Sequence, residues 1–129
     1  MPSARLCLFA LALALLACQS ASERAAEHLK RGEDFAKAEK WDEAVIEYRN
    51  VLQIDPNSAP AHYGLAKAFL GKRDGRSAYW ELEETIRLDP SNIDARIQHG
   101  EFLLLGTKDD LEKAVASAEA VLKADPKRL

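Results

Sequence analysis

From residue 25 onward, small and bulky apolar residues recur at spacings of three and four, not two. Gly32 is followed by Phe35, Ala44 by Tyr48, Ala66 by Phe69, Ala78 by Leu82, Gly100 by Leu103 and Ala114 by Ala118. Such spacing places each pair on one side of a helix. Three Asp-Pro steps, at Asp55-Pro56, Asp89-Pro90 and Asp125-Pro126, interrupt the pattern. Proline disfavours helix in the residue before it, so each step marks a helix end. Ser20 with Glu23 reads as a capping box. Ser58 with Pro60, and Ser91-Asn92, read as further helix starts. The spacing predicts helices over 21–39, 42–54, 59–71, 75–88, 92–105 and 109–123, and no strands. The alternation LALALL near the N-terminus imitates a strand but belongs to a different kind of segment.

That segment has three parts. Met1–Arg5 holds one positive charge, Leu6–Ala17 is uncharged and almost wholly apolar, and the chain turns polar after Cys18. This is the build of a secretory signal. Twelve apolar residues fall short of the roughly 20 that span a bilayer. Leu15-Leu16-Ala17-Cys18 resembles the bacterial lipobox, in which cleavage precedes a cysteine carrying a diacylglyceryl group. Leu16 is bulkier than the residue usual there. The resemblance implies a signal peptide over 1–17, lipidation at Cys18 and a short linker over 18–24. Cys7 would leave with the peptide.

The apolar pattern also repeats at long range. Pro56 and Pro90 are 34 residues apart, as are Phe35 and Phe69, Ala44 and Ala78, and His28 and His62; Pro126 follows Pro90 by 36. A period of 34 with two helices per unit resembles the tetratricopeptide repeat. The units would be 25–58, 59–92 and 93–129, the third carrying two extra residues in the turn-like stretch Gly106–Asp110. Gly32, Phe35, Ala44, Tyr48 and Pro56 match the family pattern in the first unit. Ala66, Phe69, Ala78, Leu82 and Pro90 match it in the second; Gly100, Leu103, Ala114 and Pro126 do so in the third. His28, His62 and Arg96 stand where the family opens with Trp. The resemblance implies an all-α superhelix of helical hairpins, close helix approach at the small residues, and a binding role without cofactor.

Composition narrows the chemistry. The 129 residues carry 18 basic and 21 acidic side chains, net charge −3. Loss of Arg5 with residues 1–17 makes it −4. That balance argues against nucleic acid as a partner. Three histidines and no cysteine beyond Cys18 leave little for a metal, which needs three or four convergent ligands. The carboxylate runs at Glu81–Glu84 and Asp109–Glu112 read as solvated helix surface, and no nucleophile or phosphate-loop motif is present. The chain reads as a non-enzyme.

What remains is a surface. In the family it resembles, first helices line a concave groove. Leu29, Tyr63 and Ile97 form one row there at spacing 34; Glu33, Lys67 and Glu101 form the next, with Lys37, Leu70 and Leu104 toward the far edge. Such a row suits an extended peptide or an amphipathic helix. The first row reads equally well as packing residues. Trp80 is a second surface candidate, on the outer side.

These features together imply a lipid-anchored scaffold of the bacterial cell envelope, on the outer membrane facing the periplasm, since Gln19 replaces the Asp that favours inner-membrane retention. Repeat three shows more apolar groups than one helix pair covers, so self-association or continuation into a longer repeat protein is expected. Two rivals stand beside this reading. A cytosolic co-chaperone clamp would need Lys, Arg and Asn where Leu29, Glu33, Gly64 and Asp94 lie; an enzyme would need a catalytic part beyond Leu129.

Overall fold

The computed structural model describes residues 4–104 and 108–127, with side chains described for 21–104, 112–113 and 115–127. Cys18 and Ala114 therefore fall outside the described side chains. The described residues form six helices in order: α1 (Ala4–Lys37), α2 (Trp41–Ile54), α3 (Ala59–Gly71), α4 (Gly75–Leu88), α5 (Ile93–Leu104) and α6 (Lys108–Ala124). Among the described residues there is no strand, and the fold is all-α.

Five of the six helices lie within one residue of the limits expected from sequence. The exception is α1, which runs back to Ala4 and passes through Ser20 without a break. Ser20 is therefore not a helix start. The Leu and Ala of the apolar run are strong helix formers, and no Gly or Pro separates them from Glu23. Among the described residues no helix is long and apolar enough to cross a membrane.

The hairpin turns repeat as the sequence does. Glu39 after α1 and Arg73 after α3 both take left-handed backbone, at φ 56° and 61°. In each case the next amide reaches back over the turn: Lys40 N donates to Phe35 O, and Asp74 N to Phe69 O, both at 2.9 Å. The Asp-Pro steps share a second device. Asp55 Oδ1 accepts from Asn57 N at 3.1 Å, Asp89 Oδ1 from Ser91 N at 3.0 Å, and Asp125 Oδ1 from Lys127 N at 3.2 Å. The aspartate bonds across the proline, whose fixed φ already suits the turn.

Helix starts are less uniform. Asn92 Oδ1 caps α5 by accepting from Ala95 N at 3.0 Å. Asp74 caps α4 through Ser77 N at 3.1 Å and Ser77 Oγ at 2.7 Å, a cap absent from the sequence reading. Ser58 occupies the N-cap of α3, but its hydroxyl makes no capping bond. Pro60, in the first turn, supplies the preset φ instead.

Each helix packs on the next, and α1 also reaches α3. One apolar cluster joins Ala44, Val45, Tyr48, Leu65, Ala68, Phe69 and Ala78, with Leu29, Phe35 and Trp41 against it. A second joins Ala66, Leu82 and Ala95. Leu103 and Val121 are buried in the last pair. The tightest point is the Tyr48 ring. A Cβ at Gly32 would stand 2.7 Å from it, and one at Gly64 only 2.4 Å. Gly71 is held in the same way against Trp41.

Gly100 departs from this scheme. It was expected to permit close approach, yet a Cβ there would meet nothing within 4 Å. Its counterpart Gly32 is filled by Tyr48. Counting the 34-residue period and the two-residue insertion, the position of Tyr48 and Leu82 falls on Ala118 in α6. A methyl replaces a ring, and the space stays open.

Gly64→Ala should therefore cost about 1–3 kcal/mol in urea unfolding, because the buried ring cannot yield. Gly100→Ala, in open space within a helix, should stabilise by up to about 1 kcal/mol. Equal effects at both sites would show that the ring does not set the spacing.

Candidate interaction face

The first helices of the three pairs, α1, α3 and α5, share one face marked by two clefts. The first, of about 310 Å³, is lined by Glu33, Ala36 and Lys37 from α1, Trp41 and Tyr48 from α2, and Lys67 from α3. The second, of about 190 Å³, is lined by Leu70, Gln98, Glu101 and Phe102. Lys67 and Leu70 stand one turn apart on α3, so the clefts are consecutive. The first sets two cations, Lys37 and Lys67, and one anion, Glu33, beside the rings of Trp41 and Tyr48; the second places Leu70 and Phe102 beside Gln98 and Glu101. Tyr48 is 1% exposed, and burial together with the Glu33 carboxylate pushes its hydroxyl up to about 12, so the phenol keeps its proton.

The expected apolar row does not line this face as a row. Leu29 packs against the first core cluster and Tyr63 against the second. Tyr63 serves the face indirectly. Lys67 Nζ lies 4.8 Å above its ring, and its hydroxyl accepts from Gln98 Nε2 at 3.2 Å, tying α3 to α5. Ile97 and Leu104 line a third cleft, of about 270 Å³, between α5 and α6. The structure thus brings Glu33, Lys37 and Lys67 together, and Leu70 with Glu101.

The histidines brace helix pairs. His28 Nδ1 lies 2.6 Å from Glu47 Oε2, and His62 Nδ1 2.7 Å from Glu81 Oε2. Each pair joins the first helix of a hairpin to the second. His62 Nε2 also lies 3.2 Å from Pro56 O, and Arg96 Nε, in the same phase, donates to Pro90 O at 2.7 Å. Burial works against the Glu47 charge, but hydrogen bonds from His28 and Arg31, with the Arg31 charge, outweigh it and hold the carboxyl below its usual range. Among the described residues no cluster of His, Cys, Asp and Glu could hold a metal. The signal for these braces was legible: Glu47 and Glu81 are also 34 apart, each 19 residues after its histidine.

The sequence profile of the family described as TPR repeat matches residues 32–72. The first TPR of Spaghetti (RPAP3), solved with an HSP90 peptide SRMEEVD, superposes with TM-score 0.72 at 23% identity, over 84% of both chains. The second TPR of the same protein, with the same peptide, gives 0.73 at 25% identity over 84% of this chain and 98% of that one. Residues 32–72 carry a tetratricopeptide repeat, and the described helices share the fold of these solved TPR domains. Among curated proteins, DnaJ homolog subfamily C member 3 of Homo sapiens is 29% identical over 100 residues, 78% of this chain and 19% of that protein. The Hsp70-Hsp90 organising protein of Plasmodium falciparum is 45% identical over 40 residues, 31% of this chain and 7% of that protein. The chain thus spans less than a fifth of the length of these relatives.

His28 and His62, in the phase where the repeat pattern opens with Trp, put a polar contact to Glu47 and Glu81 in place of an apolar one. On the outer side, Trp80 is 61% exposed, while its neighbour Tyr79 turns inward onto Phe102 and His99. Lys72, just after α3, pairs with Asp42 of α2.

His99 has a looser cross-helix partner. Its ring is stacked 4.9 Å from Tyr79, with Glu83 Oε1 3.7 Å away. Burial, seconded by the Lys113 charge, lowers its pKa although Glu83 opposes the shift. Between its folded value and the ordinary value of about 6.5, the unfolded chain binds the extra proton. Stability should be full above that pH and fall as pH drops below it. His99→Leu should flatten this slope in urea unfolding between pH 5 and 8; parallel curves for the two proteins would remove His99 as the source.

Proposed function

We propose that this chain is a protein–protein interaction scaffold of the bacterial cell envelope, held to the outer membrane by lipid on Cys18 and presenting its α1–α3–α5 face to a peptide or helix in the periplasm. The binding role rests on the repeat fold and on the two consecutive clefts of that face. Side-chain chemistry there fits an occupant with an acidic group near Lys37 and Lys67 and an apolar group one step further, near Leu70 and Phe102. The anchoring reading is supported by the charged start, the apolar run and the Leu-Leu-Ala-Cys end.

A second reading comes from the two Spaghetti structures, which hold the HSP90 peptide SRMEEVD. Such a tail would bring its carboxylates against Lys37 and Lys67, but also against Glu33 in the same cleft. Titration with that peptide separates the readings; micromolar binding abolished by Lys67→Glu would favour the chaperone-tail role.

For the anchor, wild type should incorporate radiolabelled palmitate and Cys18→Ala should not. A labelled, membrane-bound Cys18→Ala protein would defeat the lipoprotein assignment. For the face, Lys67→Glu makes the row Glu33, Lys67, Glu101 wholly acidic and should weaken capture of an envelope partner at least tenfold, whereas Trp80→Ala should not. The reverse order would move the binding site to the outer side.

A further inference from the structure

We infer that repeat three is a self-docking surface, where two copies of this chain pair tail to tail about a two-fold axis. The surface is the cleft between α5 and α6, of about 270 Å³, lined chiefly by Ile97, Gly100, Leu104, Val115, Ala118 and Val121. Among the described residues it is apolar and open: Gly100 faces open space, Leu104 is 62% exposed and Val115 51%. In the first repeat the corresponding space is filled by the Tyr48 ring, and a following helix covers it with Ala61, Gly64, Leu65 and Ala68, all buried.

The 34-residue register shows which part of a second copy fits. The positions of Ala61, Gly64, Leu65 and Ala68 fall in α1 on Glu27, Lys30, Arg31 and Asp34, all exposed. Stacking head to tail would strip water from four charged groups against an apolar cleft, and that cost opposes a growing chain of copies. Tail to tail, each copy offers the other an apolar surface. The rim is also self-complementary, because the cleft is flanked by one cation, Arg96, and one anion, Glu101. A two-fold axis can set Arg96 against Glu101 of the partner subunit, and the symmetry then makes the second pair. Such an isologous contact closes at two chains.

Sedimentation equilibrium of the full chain in density-matched detergent tests this. The wild type should be a dimer at micromolar concentration. Leu104→Glu and Val115→Glu, both at exposed positions, should keep the helical circular dichroism of the wild type and weaken the dimer at least tenfold. Arg96→Glu should weaken it too, and Arg96→Glu with Glu101→Arg should restore it. A monomeric wild type, a mass unmoved by Leu104→Glu, open-ended assemblies, or a charge swap that fails to restore pairing would each overturn the inference. Association through the N-terminal apolar run is distinguished by its indifference to Leu104→Glu.

Discussion

One aromatic ring sets the spacing of the first three helices. Tyr48, on α2, lies between two glycines that are 32 residues apart in sequence, Gly32 on α1 and Gly64 on α3. Neither position admits a methyl group at the observed separation. The backbones of α1 and α3 can therefore close on the ring, and this explains why α1 reaches past its own partner to α3. The first cleft is a consequence of the same contact. Tyr48 and Trp41 form its floor, and its walls are the α1 and α3 residues that the ring holds in place. Packing and site are one constraint at this point, since side chains close-packed at interior density leave little freedom to move a wall without moving the core.

Most of the fold was legible because its punctuation is chemical and local. Asp-Pro ends a helix through two effects that need only neighbouring residues: the proline restricts the residue before it, and the aspartate carboxylate bonds the amide two residues on. The 34-residue period then multiplies a weak local signal by three. Ser20 misled for the same reason. A capping box competes with continuation of the helix, and the Leu and Ala run upstream favours continuation.

The site was less legible because it depends on what a residue faces. Leu29, Tyr63 and Ile97 share a phase, yet two of them serve the core and the third opens onto a different cleft. Register places a residue on a helix; it does not say whether the next repeat has already covered it. The Gly100 expectation failed on the same ground. A glycine has the same local preference in α1 and α5, but its use depends on a partner residue in another helix, Tyr48 in one case and Ala118 in the other. The His–Glu braces are the converse case, a long-range pairing whose two members both keep the period.

The repeats are alike in backbone and unlike in their ends. The head of the stack, on α1, carries Glu27, Lys30, Arg31 and Asp34 where the interior helix α3 carries small and apolar groups. Arg31 there bonds Glu27 and Glu47, so the charges are partly satisfied within the chain. Repeat three differs in its filling, because the ring that fills repeat one shrinks to leucine in repeat two and to a methyl in repeat three. In a repeat stack, stability is close to a sum of unit and neighbour terms, so a unit that lacks the filler contributes less to the whole. The same gradient separates the two faces by chemistry. The α1–α3–α5 face is mixed in charge, while the α5–α6 cleft is apolar with Arg96 and Glu101 at its rim. The two surfaces share one residue, Glu101, which borders both clefts.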